Sequence, residues 1–270
     1  MKLQNLHTHC TYCDGKNTME EVVQTAIQKG FSSIGFSSHS YMPYRNAGLM
    51  PSDKPQYLKD IAFFKEKYRG VIDIFAGLEY ERYSEDDMQG YDYIIGSCHY
   101  FEREGIMHNF DCTAENLLVL VKEQFGGDAM AMVKEYYKTF ATLPEVYDFD
   151  IAGHCDIITK NNQKLGIFDE NSKEYLDVAL ESILAVAEKI KVFEMNTGPI
   201  ARGYRSTMYP AKTILKELKA HGASITVSSD CHKMEFLDTG FREAFELAKE
   251  CGYKEIMIFD GKEFVPEKID

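Results

Sequence analysis

The amino-acid sequence predicts an α/β barrel of seven parallel strands, and three observations lead there. Apolar, strand-like runs alternate with helical segments along the chain, a pattern that predicts a parallel sheet. Seven such runs precede the C-terminal tail, and no linker, repeat or low-complexity stretch divides residues 1–270, so one domain is expected. Residues able to bind metal close at least six of the runs, at the strand ends where barrel enzymes place their chemistry. An open doubly wound sheet gathers ligands at one crevice. Ligands from six strands converge more readily on the axis of a closed barrel.

Each element has a local reason. Leu6-His7-Thr8-His9 reads as a strand end whose alternation puts both imidazoles on one face. After the loop Cys10–Gly15, Thr18 and Glu21 form a capping box, opening a helix that Gly30 closes. The run Ser33-Ile34-Gly35-Phe36 is a strand that reaches His39. A long loop, Ser40–Pro51, leads to a helix from about Ser52 to Tyr68, stopped at Gly70. Strands follow at Val71–Glu79 and Tyr91–His99, then a polar loop from Phe101 to Cys112. Helical sequence covers Thr113–Thr142 with a break at Gly126-Gly127. Asp148–His154 is the fifth strand, Ser172–Lys189 a helix, and Val192–Asn196 the sixth strand, followed by the loop Thr197–Tyr209. Pro210 suits the first turn of a helix that ends at Gly222. Ser224–Asp230 is the seventh strand, a helix runs from about Asp238 to Cys251, and Glu255–Phe259 is a terminal strand.

Composition narrows the function. The 270 residues are 44% apolar, enough for an ordinary globular core. No apolar run approaches the roughly 18 residues of a membrane span, and Met1–Asn5 lacks the apolar segment of a signal peptide, so a cytoplasmic protein is expected. Seven cysteines, an odd number, suit a reducing compartment. A net charge of −13 argues against nucleic acid as partner, which calls for clustered Lys and Arg. A small molecule is the expected substrate.

Six of the eight histidines fall at strand ends. His7, His9, His39, Glu79, His99, His154, Asp230 and His232 are the candidate metal ligands, with Asp14 added from the first loop. Imidazole combined with carboxylate suits Zn, Mn or Fe better than an all-oxygen Ca or Mg cage. Nine ligands exceed what one ion uses, so two or three divalent ions are expected, with Glu79 as the natural bridge. Cys10 and Cys13 have redox or zinc spacing but no second pair, and read as two loop thiols. Cys98, Cys155 and Cys231 adjoin ligands on the opposite strand face and read as core. His221 reads as a helix-end residue and His108 as surface. Asp156, Glu194 and Asn196 can orient an imidazole from behind, or, for Glu194 and Asn196, hydrogen-bond a loop instead. Arg202 and Arg205, in the loop after the sixth strand, are the expected phosphate-gripping residues, ahead of Arg45 and Arg82.

The order His7-x-His9, His39, Glu79, His99, His154 and Asp230-x-His232 resembles the PHP (polymerase and histidinol phosphatase) superfamily over nearly the whole chain. Within it, chain length and the segment from Asn196-Thr197-Gly198 to Tyr209-Pro210 look like the monofunctional histidinol-phosphate phosphatases. The resemblance implies a distorted seven-stranded β/α barrel with a trinuclear centre. His7, His9, Glu79 and Asp230 would hold one ion, Glu79, His99 and His154 the second, and Asp14, His39 and His232 the third. Some relatives have His where Asp14 falls. Glu79, Asp230 and His232 are the implied catalytic residues. Residue types and spacing alone reach a multinuclear hydrolase. Conversion of L-histidinol phosphate to L-histidinol and phosphate, a step of histidine biosynthesis, comes from the resemblance. The alternatives are a PHP phosphoesterase for nucleotide bisphosphates or nucleic-acid ends, and a metal-binding PHP module without catalysis.

Overall fold

A computed structural model describes residues 1–45 and 47–269; Asn46, inside the loop Ser40–Pro51, and Asp270 lie outside the described residues. In chain order the strands are β1 (Gln4–Asn5), β2 (Ser33–His39), β3 (Asp73–Glu81), β4 (Tyr93–Ser97), β5 (Tyr100–Arg103), β6 (Ile106–Asn109), β7 (Ile151–Ala152), β8 (Val192–Asn196), β9 (Ser224–Ser228), β10 (Glu255–Phe259) and β11 (Phe264–Lys268). Seven of them form one parallel sheet in the order β1-β2-β3-β4-β7-β8-β9. Its edges meet just past β1 and β9. There Thr8 bridges Cys231, His9 N donates to Cys231 O at 2.9 Å, and Cys231 N donates to His7 O at 3.2 Å. The sheet is a nearly closed barrel, as the strand-end ligands predict.

Helices cover the outside because the outward strand residues are apolar. Ile34, Phe36, Ile74 and Ala76 pack on Val22, Val23 and Ala26 of the helix Met19–Gln28 and on Tyr57 and Ile61 of the helix Lys54–Lys67. On the other side, Leu78, Ala152 and Phe193 meet Tyr136 and Phe140 of the helix Ala129–Ala141 and Tyr175 and Ile183 of the helix Lys173–Lys189. Fully burying a side chain of this size contributes about 1.5–3 kcal/mol, so these two shells dominate the stability. The capping box stands as read. Thr18 N donates to Glu21 Oε2 at 2.8 Å and Glu21 N to Thr18 Oγ1 at 3.3 Å.

The inward residues divide by height. Leu6, Phe75, Tyr93, Ile95, Ile151 and Val192 fill the lower barrel together with Phe259. Tyr93 crosses this floor. Its ring occupies the space that a Cβ on Gly35 or Gly77 would need, and its hydroxyl donates to Leu6 O. Above the floor β3 turns Glu79 inward, two residues past Gly77 on the same face.

Four readings change. The polar loop Phe101–Cys112 contains the antiparallel hairpin β5–β6, turned by Glu104 (φ 53°) and Gly105 (φ 76°), a pair of left-handed residues that suits a two-residue hairpin turn. The terminal strand Glu255–Phe259 pairs antiparallel with β11 beneath the barrel, where Gln4 Nε2 donates to Phe259 O at 2.8 Å. Pro210 lies outside its helix, which starts at Lys212 with Ala211 as cap. A helical turn, Gly198–Ala201, interrupts the loop after β8. Among the described residues no helix is long and apolar enough to cross a membrane.

Candidate metal centre

All nine ligand-type residues converge at the upper rim of the barrel. Glu79, 1% exposed, stands at their middle. Its Oε1 lies 3.0 Å from His154 Nε2 and 3.4 Å from His99 Nε2. Its Oε2 lies 2.6 Å from His39 Nδ1, 3.4 Å from His7 Nε2 and 3.6 Å from His9 Nε2. One carboxylate thus faces five imidazoles, the arrangement expected of a group shared between cations. Asp230 Oδ1 sits 3.2 Å from His9 Nε2 and 3.7 Å from His7 Nε2. Asp230 is held with φ 49°, a strained backbone for a non-glycine residue and one that concentrates at functional sites. His232 stacks on His9 with ring centroids 4.1 Å apart and points Nε2 at Asp14 Oδ1, 3.2 Å away.

Three groups of these side chains are close enough to hold a common ion: His9, Asp14, His39 and His232; His7, His9 and Asp230; and His7, Glu79 and His154. His9 therefore belongs to two groups, one more than the resemblance implies. His99 falls outside all three and reaches the cluster through Glu79. Divalent ions fit this donor set on a separate observation. His7 Nε2, His9 Nε2, Asp14 Oδ1 and Glu79 Oε2 are buried and face one another, and among the described residues none of them makes a well-aligned hydrogen bond, close as their ion-pair neighbours lie. Buried polar atoms are seldom left so, and four together in one cradle form a donor set that divalent ions fit.

Electrostatics agree. Burial works against a charged His7, but Glu194, Glu79 and Asp230 outweigh it and hold the imidazole pKa well above its ordinary value. His39 is also penalised by burial, yet Glu79 raises it to about 10. Burial, with His232 and His39 alongside, pushes His9 down to about 3. Glu79 is disfavoured as an anion by burial and nevertheless held well below the usual carboxylate range by His39, His7 and His99. Positive charge is what the carboxylates at this centre require.

Outer carboxylates aim the rings. Glu194 Oε1 takes His7 Nδ1 at 2.6 Å, and Glu194 Oε2 accepts from His154 N at 2.8 Å and from Asn196 Nδ2 at 3.0 Å. Glu81, which sequence reasoning missed, takes His99 Nδ1 at 2.7 Å and His99 N at 2.8 Å. Its signal was available: Glu81 shares the face of Glu79 at i+2. Such partners fix tautomer and ring direction. Cys13 Sγ lies 3.4 Å from His9 Nδ1, whereas Cys98, Cys155 and Cys231 are buried in the outer apolar shells.

Asp156 departs from its expected role. Among the described residues no imidazole bonds to it; its Oδ2 accepts from Ala211 N at 2.8 Å, tying the turn after β7 to the helix Lys212–Ala220. Burial raises its pKa from 3.8 to about 7. The folded chain then keeps a proton that the unfolded chain releases, so Asp156 costs stability increasingly as pH rises from about 4 to about 7. Asp156→Asn is expected to gain on the wild type between pH 5 and pH 8 by roughly 1–4 kcal/mol, read from urea titrations. A difference that does not change with pH would rule this out.

The arginines also separate. Arg202 Nη2 pairs with Asp230 Oδ2 at 2.7 Å, while Nη1 reaches Asp230 O at 3.0 Å and His232 Nδ1 at 3.2 Å. Arg205 is closed bidentately on Glu170, at 2.9 and 2.7 Å, and lies away from the ligand cluster. Arg45, ranked low from sequence, lines the same cavity as Glu79 and sits 3.4 Å from Asp14 Oδ2. Arg82 instead donates to Thr142 Oγ1 at 3.0 Å. His108 stacks on Phe101 in the hairpin, and His221 pairs with Glu188 at the end of its helix.

The chain is 23% identical to a "Probable histidinol-phosphatase" of Schizosaccharomyces pombe, over 94% of this chain and 88% of the relative. It is 24% identical to the histidinol-phosphatase of Bacillus subtilis, over 91% of this chain and 98% of that one. Its fold matches the crystal structure of a Lactococcus lactis histidinol phosphate phosphatase complexed with zinc, L-histidinol and phosphate, with a TM-score of 0.75 and 21% identity, over 98% of this chain and 99% of that chain. The family model of the PHP domain matches residues 5–198. The chain belongs to the PHP domain family.

Proposed function

We propose that residues 1–270 act as one phosphoesterase domain, dependent on two or three ions of Zn, Mn or Fe, that hydrolyses L-histidinol phosphate to L-histidinol and phosphate. The observation that carries the metal-dependent reading is the cradle of four buried atoms, none with a well-aligned hydrogen bond, between His7, His9, Asp14 and Glu79. The choice of histidinol phosphate rests on the names of the relatives and on the complex described for the Lactococcus enzyme. Seven cysteines, all free, suit the cytoplasm.

Bound divalent ions would lower the pKa of water and neutralise charge on the phosphoryl oxygens. The chain's own residues do the rest. In this reading Glu79 would stand between neighbouring cations, and His7, His9 and Asp230 would hold the first. His99 and His154 complete the second with Glu79, while Asp14, His39 and His232 take the third. Glu194 and Glu81 keep His7 and His99 turned inward. Arg202 clamps Asp230 and His232 and lines the cavity, where a phosphate oxygen can meet it. Lys16, Arg45, Lys160 and Lys233 line that cavity too and add a positive field that attracts a dianion. With its guanidinium engaged by Glu170, Arg205 serves the wall of the site rather than the phosphate.

A substrate panel tests the reading. Histidinol phosphate is expected to exceed p-nitrophenyl phosphate, a nucleoside 3′,5′-bisphosphate and a short single-stranded DNA in kcat/KM. If the bisphosphate or the DNA proves the best substrate, the histidinol reading fails and the metal-dependent phosphoesterase remains.

A further inference from the structure

Two chambers open above the ligand cluster. The inner one, about 280 Å³, is lined by Glu79, Asp230 and their neighbours. The outer one, about 1040 Å³, lies between the segment after β6, the loop after β7 and the loop after β8. Four residues line both: Asp111, Lys160, Arg202 and Tyr204. A phosphate monoester that puts its phosphate among the ligands can extend its alcohol portion through this junction into the outer chamber. Three of the four junction residues could meet a phosphate. Asp111 could not, because a carboxylate repels phosphate.

Building on the phosphatase reading above, we infer that Asp111 is the specificity-determining residue for the alcohol portion and selects substrates carrying a cationic amine there. Other carboxylates at the chambers are committed elsewhere. Asp14, Glu79 and Asp230 face histidines, and Glu115 pairs with Lys164 at the solvent edge. Asp111 is held in place from two sides. Its backbone N–H donates to Asn109 Oδ1 at 2.7 Å, and its Oδ1 accepts from Lys160 Nζ at 2.6 Å. Lys160 is fixed in turn over the Tyr204 ring, 4.5 Å from its centroid. Among the described residues nothing bonds to Asp111 Oδ2, so one charged acceptor stays free at the passage. Burial works against ionisation of Asp111, but Lys160, His99 and Arg202 more than offset it and keep the carboxylate charged. An ammonium entering a junction with two fixed cations would be repelled without such a partner. With it, the amine gains a charge-assisted hydrogen bond.

The test uses metal-loaded, full-length enzyme and two esters, histidinol phosphate and its des-amino analogue 3-(imidazol-4-yl)propyl phosphate. Wild type is expected to favour the amine-bearing ester in kcat/KM on the order of 10²-fold, and Asp111→Asn to erase that preference while changing the analogue less than about threefold. Asp111→Glu keeps the charge and is expected to keep most of the preference, with metal content unchanged in both variants. The assignment is overturned by a wild type indifferent to the amine, by equal loss on both esters, or by a preference that survives Asp111→Asn. A second pair, 2-aminoethyl phosphate and propyl phosphate, separates this from failure of the parent reading. If the imidazole esters are poor substrates, yet aminoethyl phosphate outpaces propyl phosphate until Asp111→Asn levels them, the histidinol reading falls and the amine assignment stands.

Discussion

Glu79→Gln is expected to lower kcat by roughly 10²- to 10⁴-fold while circular dichroism shows the fold unchanged. The side chain keeps its shape but loses the charge that five imidazoles surround. A group that holds the ions over the phosphoryl oxygens supports several kcal/mol of transition-state stabilisation, and each 1.36 kcal/mol of barrier is tenfold in rate. Metal content should fall as well: Glu79 faces the inward nitrogens of both halves of the cluster, whereas Glu194 meets His7 and His154 only from behind, at Nδ1 and at the backbone N. Asp230 reaches His7 and His9 but is not in contact with His99 or His154. An unchanged kcat would mean that Glu79 is not shared between ions.

Chelation is expected to have the largest effect of all, a loss of turnover of at least about 10³-fold that returns when Zn or Mn is added back. Purified protein should carry two to three divalent ions per chain by elemental analysis, and His7→Ala or Asp230→Ala should reduce both metal and turnover. Acid should act in the same direction as the chelator. Without an ion, His7 is held well above its ordinary pKa and His39 at about 10, so both imidazoles bind a proton near neutrality. An incoming cation must displace those protons, hence metal affinity should rise with pH and fall with acid. Full activity in a metal-free preparation would overturn the mechanism.

The parts of this centre that a reader can find in the sequence are those set by strand periodicity. His39 and Glu79 each close an apolar run, and the fold delivers them to one rim because parallel strands share an end. Partners set by register between strands were harder to see. The inward face of Glu81 follows from that of Glu79, but its meeting with His99 depends on the pairing of Glu81 with Ser97 across β3 and β4, which no local pattern encodes. Arg205 and Asp156 show a related effect. Each found a partner in a segment distant along the chain, Glu170 and Ala211, before it could serve the site. The hairpin β5–β6 escaped notice because its strands are four residues each, too short to show alternation.

Tyr93 has a practical consequence for genetics. Its ring depends on two positions without side chains, Gly35 and Gly77, and alanine at either would collide with it. Displacing the ring would also break its bond to Leu6 O, one residue before His7. Damage at the floor would therefore be transmitted upward to the first imidazole and, through β3, to Glu79. A library screened for loss of phosphatase function would return Gly35 and Gly77 beside the acids and histidines, although neither glycine meets ion or ester. Sorting the survivors by protein abundance as well as turnover would tell the two kinds of loss apart: floor variants vanish from the soluble fraction, while rim variants such as Glu79→Gln accumulate as inert protein.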